Sequence, residues 1–290
     1  MAIEDELMLD RPLKEWTDAV MERRHALGSA QVRPRYFFRY FSPDSPFTLT
    51  NLRDILVGSR MRYSSRTEFN DPLDSRCEYL IPKDQTRAHE FFRQVAMRRS
   101  DTPEQAQAFA TQQMASPDWH DRLNASLERT VAHAGISCFT ERGDSMLMWS
   151  HYGGGHSGAA VVFRDLADRD AFLFTMPVAY GNVRPRFQFE VAFNNEGLIR
   201  ALHYKSSEWS YEFEWRTVAV DMAGQHRALR PDVVCGVIFG CNAHPDFIRT
   251  VSALIREREA AGLGAVDTHA MRLKADEFAL ERERIELLDA

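Results

Sequence analysis

Residues 84–133 contain no glycine and are rich in Gln, Ala and Arg, while the chain on either side breaks into short aromatic and β-branched runs. That contrast constrains the fold more than any other feature. Strands joined by irregular segments, instead of regular crossover helices, point to an α+β protein and away from a doubly wound one. The expected architecture is one domain over residues 1–290, with a mixed, mainly antiparallel central sheet and flanking helices. Residues 84–133 are expected as a helical insert lying on that sheet. Inside it, Thr102-Pro103-Glu104-Gln105 supplies a cap, a proline at the first helical position and a Gln three residues after the cap. Ser116-Pro117-Asp118 starts the next helix in a similar way.

Elsewhere, Leu13, Trp16, Val20 and Leu27 among charges predict a short amphipathic helix over 12–27. Tyr36 to Phe41 is an aromatic, β-prone run and predicts a strand. Asn51 is placed to cap a helix running to about Val57 and ended by Gly58, and Met61 to Ser64 follows as a second strand. Further strands are expected over Ile136–Thr140, Gly158–Phe163, Met176–Tyr180, Trp215–Val220 and Val233–Phe239. A helix from Pro245 to Ala261 follows, stopped by Gly262. The tail reads as a closing β-hairpin of Ala265–Leu273 and Phe278–Leu287. A helix over its second half is the alternative, because Glu281–Glu286 is rich in helix formers.

Composition excludes some classes. Hydrophobic residues at 44% and charged residues at 27% are an ordinary globular balance, enough for a core and against extended disorder. A net charge of −6 gives no general attraction to nucleic acid or to an anionic membrane. The basic run Arg33, Arg35, Arg39 reads as a strand edge. The acidic first residues hold no apolar signal core, and no run approaches the roughly 20 apolar residues of a membrane span. Cys77, Cys138, Cys235 and Cys241 include no CxxC pair and read as reduced thiols. A cytoplasmic protein with no membrane partner is expected.

Three segments are candidates for chemistry. In Glu68-Phe69-Asn70-Asp71-Pro72-Leu73-Asp74, Asn and Asp before proline set an extended backbone and then a turn. The segment is either a structural turn or the mouth of a pocket, where Asn70 or Asp71 bonds a ligand. Its carboxylates are too few for a hard cation without partners elsewhere. Ser145 to Gly158 passes through Trp149, His151, Tyr152, three glycines and His156. Glycine permits positive φ and close backbone approach, so this reads as a ligand-facing loop. It lacks the P-loop pattern, and His151 with His156 leaves the other ligands of a zinc site unspecified.

The third segment is Trp209-Ser210-Tyr211-Glu212-Phe213-Glu214-Trp215-Arg216. As a strand over 211–218 it puts Tyr211, Phe213, Trp215 and Thr217 on one face. Glu212, Glu214, Arg216 and Val218 then share the other. That face is a solvated edge or a polar cleft, and Lys205 lies just upstream.

These runs, in this order, resemble the bacterial family called domain of unknown function 2971. The resemblance rests on Phe69-Asn70-Asp71-Pro72, Cys138-Phe139-Thr140, Met148 to Tyr152, His156-Ser157-Gly158, Lys205 to Arg216, and Ile238-Phe239-Gly240-Cys241. It covers about residues 36–245, with the helical insert as the variable part. It implies a bacterial cytoplasmic protein linked to phage defence or stress.

A more distant resemblance is to DarT-type ADP-ribosyltransferases. Arg39-Tyr40, then Leu52 to Gly58, is similar to their opening strand, helix and glycine. Ser137-Cys138-Phe139-Thr140 falls where they carry a serine/threonine strand, and Glu212-Phe213-Glu214 is similar to their Glu-x-Glu motif. The order Arg39, Ser137, Glu214 matches the Arg–Ser–Glu order of arginine-type transferases. The chain departs in having no Ser-Thr-Ser and a long spacing between the second and third elements.

This resemblance implies transfer of ADP-ribose from NAD, through an oxocarbenium-like state that a carboxylate stabilises. It puts Glu214 on the nicotinamide ribose and Glu212 on the acceptor. Ser137 would hold the first strand and the Glu strand in register, and Arg39 would pair with the NAD diphosphate. Trp149 or Tyr152 would stack on nicotinamide, with Tyr40, Asn70, Asp71, His151 and Arg216 completing a nucleotide pocket. No metal is implied, and the acceptor, protein or nucleic acid, is open. Two alternatives stand beside it. A metal-dependent nuclease would use Asp71, Asp74, Glu212, Glu214 and Lys205. A non-catalytic nucleotide- or peptide-binding sensor would use Trp149, Tyr152, Trp209, Tyr211 and Trp215 as walls.

Overall fold

The computed structural model describes residues 12–29, 32–80, 84–98, 101–172, 174–188 and 195–288; the acidic start of the chain lies outside them. The strands are Tyr36–Phe41 (β1), Arg60–Arg62 (β2), Glu78–Leu80 (β3), Gly135–Thr140 (β4), Ala159–Arg164 (β5), Thr175–Pro177 (β6) and Ala179–Gly181 (β7). They continue as Arg186–Gln188 (β8), Tyr204–Ser206 (β9), Glu214–Ala219 (β10), His226–Ala228 (β11), Val234–Phe239 (β12), Asp267–Leu273 (β13) and Leu280–Arg284 (β14). The helices are Leu13–Ala26 (α1), Thr48–Leu56 (α2), Gln85–Arg98 (α3), Pro103–Met114 (α4), Trp119–His133 (α5), Met146–His151 (α6), Arg169–Phe172 (α7), Asn195–Leu202 (α8) and Pro245–Ala260 (α9).

Eight strands form one sheet in the order β14-β13-β12-β5-β1-β4-β10-β6. β12 and β13 run parallel, joined through α9, and the other neighbours are antiparallel. The protein is α+β. Its aromatic runs have no simple alternation because both faces of the sheet are covered. Phe37 and Phe41 of β1 enter a core with Leu52 and Ile55 of α2, Val251 of α9 and Trp215 of β10. Phe38 points the other way, into a cluster with Trp149, Val162, Ile238 and Met271. Each such side chain contributes roughly 1.5–3 kcal/mol by burial.

The insert is three helices with their own small core of Phe91, Phe92, Ala110 and Leu123. Thr102 and Gln105 make the reciprocal capping box expected of them. The link to the sheet is the end of α5, where Val131 packs with Ile136, Leu198, Leu202 and Val218. Among the described residues no helix is long and apolar enough to cross a membrane.

Several boundaries differ from expectation for local reasons. α2 starts at Thr48, one turn before Asn51, with Phe47 as its cap residue. Met176–Tyr180 is not one strand, because the chain leaves β10 at Pro177 and pairs with β9 from Ala179. The tail is a hairpin, β13 against β14, and its helical alternative is set aside. The segment over 211–218 is also not one strand. Ser207–Glu212 is a 3-10 helix, Phe213 takes the left-handed conformation, and β10 begins only at Glu214.

Candidate functional site

The site follows from a parting of the central sheet. β1 pairs with β5 along its full length, from Tyr36–Arg164 to Phe41–Ala159, and β4 pairs with β10 from Glu214–Thr140 to Ala219–Gly135. Between β1 and β4, among the described residues, the pairing is Phe38–Thr140 alone. Ser64 ties the same edge of β4 further along, at Ile136. A cavity of about 530 Å³ sits at this fork. Alternation in the paired strands puts Cys138, Thr140, Glu214 and Arg216 on one face of the sheet, and Arg39, Ser137 and Trp215 on the other. The opening lets Arg39 and Glu214 line one space from opposite faces.

On the acidic wall, Lys205 Nζ donates to Glu212 Oε2 at 2.5 Å and to Glu214 Oε2 at 3.2 Å, and lies 3.4 Å from Asp74 Oδ2. Arg216 grips Glu214 through Nε–Oε1 at 2.7 Å and Nη2–Oε2 at 2.9 Å. It also donates to Asp74 Oδ2 at 2.7 Å, Ser75 Oγ at 2.7 Å and the Leu202 carbonyl at 2.8 Å. Three carboxylates therefore face two cations, all buried. One acid is in excess, and its identity is set by partners.

Burial alone would raise Glu214, but Arg216 and Lys205 overcome it and hold the carboxyl well below the usual range. Glu212 meets burial and the Glu214 charge with only Lys205 and the Tyr152 phenol to oppose them, and is pushed up to about 7. Burial opposes the Lys205 charge, yet Glu214, Glu212 and Asp74 together raise its pKa. Tyr152 Oη donates to Glu212 Oε1 at 2.5 Å, and burial raises its own pKa. Trp209 lies with its ring centroid 5.0 Å from the Lys205 ammonium.

The other wall is Arg39. It is half-buried, donates from Nη1 to Ser137 Oγ at 3.0 Å, and has no carboxylate in ion-pair range among the described residues. Burial lowers its pKa. Thr48 and Asn51 from the first turn of α2, with Ser42, Ser45 and Ser64, surround this end of the cavity with hydroxyl and amide groups.

Of the expected site residues, Arg39, Tyr40, Asn70, His151, Tyr152, Glu212 and Glu214 line the cavity. Tyr40 donates its phenol to the Arg142 carbonyl at 2.8 Å, and His151 Nδ1 meets Tyr211 Oη at 2.6 Å. Four others do not line it. Trp149 is fully buried with Nε1 on the Gly143 carbonyl, so it has no face for a ligand ring. Asp71 accepts from the Leu73 N–H at 2.8 Å, the structural-turn alternative. Arg216 is fully buried and committed to the acid cluster, so it belongs to the scaffold of the pocket and not to its surface. Ser137 is buried and bonds Arg39 and Met61 Sδ, so it fastens the arginine and does not reach the glutamates.

The glycine loop also differs from expectation. A Cβ at Gly158 would lie 2.0 Å from the Phe41 carbonyl oxygen, so this close approach is to β1 and not to a ligand. Gly154, Gly155 and His156 all have positive φ. His156 meets Ser150 Oγ at 3.2 Å and lies outside the cavity lining. Asp74 is the residue with the least local warning. Its partners Arg216 and Lys205 are remote in sequence, and only its place after the Asn-Asp-Pro turn singled it out.

A larger hollow of about 1010 Å³ lies against β12, β13 and the end of β14. Its buried Arg258 is bonded to the carbonyls of Leu56, Pro231, Leu263 and Gly264, and its Arg284 pairs with Asp267. The coupled acids and cations gather at the fork instead. Among the described residues, no group of three or more His, Cys, Asp and Glu side chains is placed to hold a metal ion. No protein-family model, curated protein or solved structure matches the chain.

Proposed function

We propose that this protein is an enzyme that cleaves the nicotinamide–ribose bond of NAD and transfers ADP-ribose, in the manner of DarT-type ADP-ribosyltransferases. Membership of the domain of unknown function 2971 family, a bacterial cytoplasmic setting and a role in defence are parts of the same proposal. The observation that carries it is the cavity's polarity. An arginine with no acid partner among the described residues faces the space from β1, and a carboxylate pair with divergent pKa values faces it from the other side.

That pair fits the chemistry. Two neighbouring carboxyls whose environments push their pKa values apart divide the labour between them. Glu214, kept ionised, stabilises positive charge developing on the ribose. Glu212, near neutrality, takes the proton of the acceptor. Arg39 pairs with the diphosphate, where a guanidinium makes charge-assisted bonds. Tyr152 and His151 border the space for the nicotinamide. A volume of about 530 Å³ lies within the range of small-molecule sites.

The nuclease alternative draws nothing from this geometry, because Asp71 caps a turn and, among the described residues, no group of three or more acid, His or Cys side chains is placed to hold a metal ion. The test is incubation with NAD labelled in the adenosine half, with candidate acceptors present. Label transfer to an acceptor, with nicotinamide release followed by chromatography, is expected, and both disappear in Glu214→Gln. Binding of NAD without release would leave the sensor reading in its place.

A further inference from the structure

Phe213, between the two glutamates, has φ 45° and ψ 49°. A bulky residue does not adopt this left-handed conformation unless its surroundings impose it. The surroundings here are unusually complete. Thr140 Oγ1 donates to the Glu212 carbonyl at 2.5 Å, and Tyr180 Oη accepts the Glu214 N–H at 2.8 Å. Arg24, reaching from α1, donates through Nη1 to the Glu214 carbonyl at 2.8 Å and to the Val178 carbonyl at 3.2 Å. Its Nη2 lies 3.3 Å from Glu141 Oε2, which also accepts the Trp215 indole N–H. The guanidinium sits 5.9 Å from the ring centroids of Tyr180 and Phe213, and 5.4 Å from that of Trp215.

Arg24 is 1% exposed and is not among the cavity-lining residues. Beside its pair with Glu141 and its bond to the Val178 carbonyl, it reaches the glutamates through the backbone of the turn. An extended residue 213 would prolong β10 backwards and carry Glu212 off the 3-10 segment that delivers it to Lys205. We propose that Arg24 is a positioning residue, which holds the left-handed turn at Phe213 and thereby sets Glu212 and Glu214 together on Lys205. α1 is then part of the site's machinery, although none of its side chains faces the cavity. This rests on the site described above, but not on which ligand the site takes.

The experiment reads Glu212 directly, by ¹³C-carboxylate NMR titration of the ligand-free protein, with Glu212→Gln to assign the resonance. Loss of the clamp releases Glu212 from burial and from Glu214. In Arg24→Gln its midpoint is expected to fall from near neutrality to the ordinary glutamate range. The double variant Arg24→Gln/Phe213→Gly is expected to restore it, because glycine takes a positive φ without help. An unchanged midpoint in folded Arg24→Gln overturns the proposal, and so does a lowered midpoint that glycine does not restore. Should Arg24→Gln not fold, Arg24→Lys keeps the charge and one donor. An intermediate midpoint is expected there, and an unaltered one overturns the proposal. No NAD is present, so the outcome is separable from the NAD reading.

Discussion

Arg216 holds Glu214 in a fork, Nε on Oε1 at 2.7 Å and Nη2 on Oε2 at 2.9 Å, with the arginine fully buried. Such a pair is costly to half-remove, since the surviving charge has no water to turn to. Glu214→Gln keeps the shape and takes away the charge, leaving Arg216 with Asp74 alone. The expected loss is about 3–5 kcal/mol in urea unfolding at neutral pH. The same variant is expected to abolish nicotinamide release. A fully active, fully stable Glu214→Gln would sink both the structural and the chemical assignment.

The pH dependence follows from Glu212. Its folded pKa is raised, so between the ordinary carboxylate value and about 7 the folded protein holds a proton that the unfolded chain has lost. Its contribution is complete below about 4.3 and declines as pH rises through 7. Glu214 has the opposite sign, because its folded pKa is depressed, and its contribution is lost in acid. Stability of the native protein is expected to decline from pH 5 to pH 8 by on the order of 2 kcal/mol from Glu212. Glu212→Gln is expected to flatten that slope, as read by unfolding midpoints across the range.

How much of this was readable in the sequence divides by range. Elements specified by local signals were legible: the Thr102 capping box, the aromatic β1, α9 before Gly262. So was the α+β class, because irregular connections are a local property. Phe213 was not legible. Its left-handed conformation is imposed by Arg24, Thr140 and Tyr180, three residues that no pattern over 209–216 can show. Glu212 comes to the cluster from the 3-10 segment, but strand alternation does place Arg216 on the face of Glu214. Alternation says nothing about depth, and Asp74 and Ser75 close over it. The Arg39 reading placed it in the same cavity as the glutamates, but could not show that the sheet parts so that residues on opposite faces meet.

Arg39 gives a prediction of a different kind. Its recorded polar contact is the neutral Ser137 hydroxyl, so removing the guanidinium leaves no buried charge behind. Arg39→Gln is expected to weaken NAD binding on the order of 10- to 100-fold, the range of one to two charge-assisted bonds. Its melting temperature should stay near that of the unaltered protein. Isothermal calorimetry and a thermal melt separate the two effects. A large loss of stability with unchanged affinity would make Arg39 a structural residue of the fork.

Tyr152 tests the division of labour between the carboxylates. Its phenol donates to Glu212 Oε1, a bond that favours the ionised acid and restrains its pKa. Tyr152→Phe removes that donor and leaves burial, the Glu214 charge and Lys205 as they are. The Glu212 titration is therefore expected to move upward, by about half a unit to one unit for a net bond of roughly 1 kcal/mol. If Glu212 takes the acceptor's proton, the acid limb of the rate profile for ADP-ribose transfer moves to higher pH by the same amount. Nicotinamide release driven by Glu214 alone would not follow it. A profile that stays in place while the NMR midpoint shifts would remove Glu212 from the proton transfer and leave it as the surplus acid of the cluster.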